Sequence, residues 1–294
     1  MRGTASLCVY LATVGLSVAE SNIDANNAFS WSRSAGWFNW YSNSENGARI
    51  DEFVCGGFVY GANVGWINLG SGFPANGIQY LNDSSTDFGV NLDSVGNLRG
   101  FAYGANVGWI EFNPPGEPRI NLDTGRLSGF AYSANMGWMN LGEFTSSTQI
   151  ESFGPGTDND SDGIPDAWER KRTGTLTALH EETDSDNDGL SDVGEYQADT
   201  DPLDPDENLQ IVRFALTGDG QSVLLGWTAR GTRFYTVQMR SQFEEISPWT
   251  NMFPALVRGT DEEVSILVTN AQNSSHNYFR VQAVRPLQPT VLTE

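Results

Sequence analysis

Apolar and polar positions alternate in short runs along most of this chain, and glycine or asparagine breaks the runs. Phe101-Ala102-Tyr103 reads as a strand and Gly104-Ala105-Asn106 as a turn, because Gly and Asn tolerate positive φ. Residues 107–112 read as the return strand. The same pattern occurs four times, at residues 31–37 (WSRSAGW), 60–66 (YGANVGW), 103–109 (YGANVGW) and 132–138 (YSANMGW). The offsets are 29, 43 and 29 residues, so the long interval is one unit plus a 14-residue insertion, placed within residues 71–86. Between units lies a second hairpin, such as Ile120-Asn121-Leu122, Asp123-Thr124-Gly125, then Arg126-Leu127-Ser128-Gly129-Phe130. Repeats of this length predict a stacked or circular array, here an antiparallel meander.

Strand alternation puts Val107, Trp109 and Glu111 on one face and Gly108, Ile110 and Phe112 on the other. Large apolar groups on both faces predict a sheet covered on both sides. Trp66, Trp109 and Trp138 are therefore expected in a core; the competing reading is sugar stacking on exposed rings, with Trp31, Trp37 and Trp40 in the same region. The glycine before each Trp is read as a point of close approach. Cys55 aligns with Leu98 and Leu127, which predicts a core site.

Residues 208–287 show strand-like runs at 211–216, 222–229, 233–240, 263–269 and 278–284, with a turn at Gly218-Asp219-Gly220. Trp227 and Tyr235 fall on successive strands, and in this the segment resembles a fibronectin type III domain, which implies a β-sandwich. Trp249 reads as a packing residue. The expected fold class is thus mainly β: an N-terminal antiparallel β-repeat domain (20–150), a central segment with short helices (151–207) and a C-terminal Ig- or fibronectin-like β-sandwich (208–294).

Charge changes the picture in the middle. Residues 20–150 hold 12 acids and 5 bases, residues 208–294 hold 7 of each, and residues 151–207 hold 18 acids and 3 bases. Such a segment is a solvated linker unless a cation organises it. Two stretches share one spacing: Asp158, Asp160, Asp162, Gly163, Ile164, Asp166, Glu169, and Asp184, Asp186, Asp188, Gly189, Leu190, Asp192, Glu195. Acids stand at loop positions 1, 3, 5, 9 and 12 with glycine at 6, the ligand pattern of a calcium loop. Ca2+ is hard and takes 6–8 oxygens; Ile164 and Leu190, at position 7, would give backbone oxygens only. Magnesium wants rigid octahedral geometry, and for zinc His180 is the single soft ligand nearby. No helix is evident before either loop. Here the chain resembles the thrombospondin type 3 repeat of secreted bacterial proteins over residues 158–206, without that family's cysteines. The resemblance implies calcium-dependent folding outside the cell. Asp199, Asp201, Asp204 and Asp206 either complete an ion's shell or form an exit linker.

The net charge of −21 has the wrong sign for nucleic acid or anionic lipid. Arg2, the apolar run 7–19 and Ser17-Val18-Ala19 read as a signal peptide (1–19), with cleavage before Glu20. Thirteen apolar residues are too few for a bilayer, which needs about 20. A secreted or cell-surface location follows, extracellular or periplasmic, with no membrane span in the mature chain and Cys55 as its one thiol. His180 and His276 stand in no recognisable catalytic setting; Glu111 with Asp93 or Asp123 could imitate a glycosidase pair, but surface acids are commoner. The expected function is a structural or adhesion protein with a calcium-stabilised spacer and an extracellular protein or polysaccharide as partner. The alternatives are a carbohydrate-binding module on the repeat aromatics and, beyond it, a polysaccharide-acting enzyme.

Overall fold

The structure, a computed structural model, describes residues 20–43, 45–142, 146–154, 156–218, 221–241, 248–269 and 277–288. The export reading of residues 1–19 lies outside these, as do Asp219, Gly220 and His276. The fold is mainly β. Strands β1 (Ile23–Ser32) and β2 (Gly36–Asn39) form the first Gly-Trp hairpin. After β3 (Arg49–Ile50), β4 (Cys55–Gly61) and β5 (Gly65–Ser71) form the second. After β6 (Val90–Leu92), β7 (Leu98–Gly104) and β8 (Gly108–Glu111) form the third. After β9 (Arg119–Ile120) and β10 (Leu127–Ser128), β11 (Phe130–Ser133) and β12 (Gly137–Asn140) form the fourth, and β13 (Ser147–Ile150) follows beside β1.

Neighbouring hairpins pair in order, and β12 returns to β1, so the array closes into an eight-stranded antiparallel barrel. Within a hairpin Trp37 faces Trp31; across the seam Asn39, two residues on, faces Tyr60. The same step recurs at Asn68 with Tyr103, Glu111 with Tyr132 and Asn140 with Trp31. Four steps of two residues stagger the barrel by eight, which tilts its strands.

An eight-stranded barrel has an interior just wide enough for side chains to fill. Here they fill it in layers of one residue per hairpin: Phe38, Ile67, Ile110 and Met139; then Trp40, Leu69, Phe112 and Leu141, all buried. Trp40 is the largest of these. Its hairpin compensates with Ser30, where the others carry Val59, Ala102 and Ala131, and the Ser30 hydroxyl accepts the indole N–H at 2.8 Å. Cys55 is buried beside Leu98 and Leu127.

The Gly-Trp tryptophans are not in this core. Trp37, Trp66, Trp109 and Trp138 point outward and stay 45–49% exposed, which overturns the expectation that Trp66, Trp109 and Trp138 are core residues. The stripe on the other face, Ile110 and its equivalents with Phe38, Phe112 and Trp40, already fills the interior, so the Gly-Trp rings are left outside. Val107 departs from strict alternation too. It sits in the turn and tucks inward with Ala35, Val64 and Met136, plugging that end of the barrel.

The turns themselves are linked in a ring. Asn63 donates to the Ala35 carbonyl at 3.1 Å, Asn106 to Val64 at 3.0 Å and Asn135 to Val107 at 3.1 Å. Ser34, at the matching position of the first unit, donates to the Met136 carbonyl and closes the circle. The glycine before each Trp is required by its backbone. Gly36, Gly65, Gly108 and Gly137 have φ of +71° to +81°, where a side chain strains the chain, while around Gly137 there is open space. Close approach is secondary: at Gly36, Gly65 and Gly108 an added Cβ would stand 3.3–3.5 Å from Nδ2 of Asn63, Asn106 and Asn135, while the positive φ is common to all four.

The middle segment carries α1 (Asp166–Thr173) and α2 (Asp192–Ala198), one after each acidic loop. It builds a small core of its own from Ile164, Trp168, Leu179 and Tyr196, against Phe53 of the barrel. Beyond it lie β14 (Ile211–Leu216), β15 (Val223–Thr228), β16 (Phe234–Arg240), β17 (Thr250–Asn251), β18 (Val257–Arg258), β19 (Glu263–Val268) and β20 (Tyr278–Val284). One sheet runs β14-β15-β19; in the other, β17, β18 and β20 all pair with β16. Val223, Leu225 and Trp227 of the first meet Tyr235, Val237 and Ala283 of the second in one core. Trp249 lies between the guanidinium groups of Arg240 and Arg280, 4.4 and 4.5 Å from its ring.

Candidate metal centres

The two acidic loops fold alike, with the same acids turned onto the loop backbone. At position 1, Asp158 accepts from the Ser161 and Gly163 amides, and Asp184 from those of Asp188 and Gly189. At position 5, Asp162 and Asp188 accept the amides of Ile164 and Leu190, at 2.9 and 2.7 Å. Gly163 and Gly189 take φ of +87° and +98°, the turn that the glycine pattern predicts. Position 4 is also left-handed, at Ser161 and Asn187, with φ of 63° and 64°. Asn accepts that conformation with little strain, whereas Ser is less suited to it.

These bonds gather the carboxylates. Oxygens of Asp184, Asp186 and Asp188 lie within 4.8 Å of one another, as do ligand atoms of Asp160, Asp162 and His180. His180 Nδ1 stands 3.4 Å from Asp162 Oδ2. The helices then deliver position 12. Glu169 on α1 and Glu195 on α2 are fully buried. Among the described residues, neither oxygen of Glu169 has a hydrogen-bond partner, nor does Glu195 Oε2, Asp186 Oδ2 or Asp188 Oδ2. Burial, and then the charges of Asp160, Asp162, Asp166 and Asp158, push the Glu169 carboxyl up to about 8. Burial and Asp186, Asp188 and Asp192 push Glu195 to about 8, against a hydrogen bond from Thr200. Buried polar groups are almost always paired, and an unpaired carboxylate among others is costly. The set lacks a counter-charge, which a hard dication would supply, and its carboxylate and carbonyl oxygens are the ligands that calcium takes.

Position 9 braces the loop. Asp166 accepts the Asn159 amide at 2.8 Å and its side-chain N–H at 2.5 Å. Asp192, buried, accepts the amides of Ser185 and His180 and the hydroxyls of Thr183 and Ser185. Replacing Asp192 by Ala is expected to weaken calcium at the second loop on the order of tenfold, the usual scale for groups that orient ligands. Calorimetry would then show one tight site where the wild type shows two; two unchanged sites would remove Asp192 from this role.

Asp199 and Asp201 have other partners than an ion. Arg172 reaches Asp201 at 3.0 Å and Asp199 at 3.8 Å, and Thr232 donates to Asp199 at 2.5 Å. Asp204 and Asp206 are exposed and joined through a turn. Glu111 is on the outside of the barrel and accepts from Asn113; Asp93 is held by amides of its own turn; Asp123 pairs with Arg258 at 2.6 Å. Each of these acids is engaged separately.

The middle segment joins its neighbours at one partly buried ion network. Tyr196 of α2 donates to Glu52, in the barrel loop between β3 and β4, at 2.6 Å. Arg285, just after β20, reaches the same carboxylate at 3.0 Å. Arg233, just before β16, is 3.6 Å from Glu52 and donates to the carbonyls of Tyr196 and Gln197 at 2.9 and 2.8 Å. Burial raises the Glu52 carboxyl from its ordinary range, against the pull of Arg233 and Arg285. Sequence spacing carried no signal for this network, since its members are scattered from 52 to 285. No family model, curated protein or solved structure matches this chain.

Proposed function

We propose that this is an exported structural or adhesive protein in which two calcium ions fold the middle segment into a clamp between the barrel and the C-terminal β-domain. The observation that carries the reading is the pair of buried carboxylates, Glu169 with both oxygens unpartnered and Glu195 with one, beside loops already rich in acids. Asp158, Asp160, Asp162 and Glu169, with the Ile164 carbonyl, would hold one ion. Asp184, Asp186, Asp188 and Glu195, with the Leu190 carbonyl, would hold the other. The bound ions would replace carboxylate repulsion by ligation, so that binding and ordering of the segment are coupled.

The clamp reading follows from where the ordered segment attaches. Helix α1 begins at loop position 9 and α2 likewise, so ligation at position 12 fixes both helices. Trp168 and Tyr196, their rings 5.5 Å apart, then hold Phe53 of the barrel, while Tyr196 and Arg233 hold the last domain. The resemblance to thrombospondin type 3 repeats supports an extracellular calcium role, and the paired sheets with Trp227 beside Tyr235 support a fibronectin-like last domain. Calcium titration of the full chain by calorimetry tests the reading, with limited proteolysis of residues 151–207 alongside. Two bound ions and protection from cleavage are expected. No heat at millimolar calcium would reduce the segment to an acidic bracket.

A further inference from the structure

The outer face of the barrel plays no part in the calcium clamp, yet it repeats one feature four times. In the second hairpin the Trp66 ring lies 4.9 Å from Tyr60 and 6.1 Å from Phe58. In the fourth, Trp138 lies 4.9 Å from Tyr132 and 6.3 Å from Phe130; in the third, Trp109 lies 5.0 Å from Tyr103 and 6.2 Å from Phe101. The first repeats it with Phe29 at 6.5 Å from Trp37. Each tryptophan keeps nearly half its surface in water. The barrel does not need them there, since its interior is already filled, and ordered apolar patches on a surface usually mark binding.

We propose that the facets centred on Trp37, Trp66 and Trp138 bind the uncharged sugar rings of a polysaccharide, and that the chain's own Phe88 packs edge to face beside the fourth, which stays equally open. Phe88 comes from the end of the insertion and stands at right angles to Trp109, with ring centres 5.0 Å apart, and 6.4 Å from Tyr103. The protein thus sets one six-membered ring against such a facet, edge to face. A pyranose is of that size, and its axial C–H groups carry the slight positive charge that an aromatic face attracts. Polar neighbours suit hydroxyls: Asn39 stands across the seam from Tyr60, Asn140 from Trp31 and Glu111 from Tyr132.

Charge selects among the possible occupants. Arg33 is the one basic residue in residues 29–40, 58–69, 101–112 and 130–141. Such a surface offers nothing to phosphate, whether of lipid or nucleic acid. The facets are also set around a convex barrel, so a flat protein partner meets one or two of them. A polymer of repeated sugars can meet several, and weak single contacts then add through effective concentration. This names the partner class for the adhesive reading. Calcium has no part in it, so the two can fail separately.

The test uses the full chain in calcium, with cellulose, chitin and starch granules as pull-down probes and an array of neutral glycans. The wild type is expected to be retained on at least one of them. The triple variant W37A/W66A/W138A should lose retention tenfold or more when assayed well below its melting temperature. If the triple variant melts early, the three single variants, each expected to lose two- to threefold, serve in its place. No retention on any glycan, or full retention by the triple variant, overturns the proposal. So does binding of phosphatidylcholine vesicles, or self-association lost in the triple variant, without glycan retention.

Discussion

Replacing Glu169 and Glu195 together by Gln gives a protein that is no less stable than wild type in chelator, yet clearly less stable in calcium. The two halves of this result have one cause. Each glutamate is buried among acids of its loop, and its carboxyl is held at about 8 by that burial and crowding. Near neutral pH a carboxyl held at about 8 is already mostly protonated in the ion-free loop, so glutamine keeps both its shape and its neutrality and costs nothing there. In calcium the same change removes the ligand that ties each loop to its helix. Extracellular sites of this class bind at roughly 10⁻⁴–10⁻³ M. At 10 mM calcium each site then contributes about 1.4–2.7 kcal/mol, and the pair roughly 3–5 kcal/mol. Thermal melts of wild type and variant, with and without chelator, check the crossing. Parallel losses in both buffers would make the two glutamates ordinary packing residues.

Much of this fold was legible before the structure. The Gly-Trp spacing located four hairpins, and alternation located the strands that became β14, β15, β16, β19 and β20. Barrel closure was not legible, because four hairpins in a row suit an open array as well as a closed one. Closure depends on the two-residue step at each seam and on β12 returning to β1, both long-range events. A trace did exist: Asn63, Asn106 and Asn135 share one repeat position with Ser34, and they are the links of the turn ring. The tryptophans were misplaced for a physical reason. Both strand faces carry large apolar groups, which predicted a sheet covered on both sides, whereas a closed barrel covers one face and leaves the other to solvent. In the loops, spacing singled out acids at position 9 but could not show that Asp166 and Asp192 brace the backbone. It gave no hint that Asp199 and Asp201 answer arginines.

Trp40→Ala should be among the most damaging single changes in the barrel, costing about 3–5 kcal/mol, while Trp66→Ala costs about 1–2 kcal/mol. The two residues belong to the same repeat region and look alike in sequence. Trp40 is 1% exposed and spans the layer with Leu69, Phe112 and Leu141; its removal leaves a cavity that a closed barrel cannot collapse to fill. It also leaves the Ser30 hydroxyl, buried inside the barrel, without the indole it now bonds. Trp66 is 48% exposed, and its loss removes contacts with Tyr60 and Phe58 on a face that water can reach. Urea unfolding in calcium, followed through the far-ultraviolet signal of the barrel, measures both. A second change separates volume from hydrogen bonding. Trp40→Phe keeps most of the packing and drops the indole N–H, so it should recover more than half of the loss. Equal costs for Trp40→Ala and Trp66→Ala would mean that the outer rings hold the barrel together as much as its interior does.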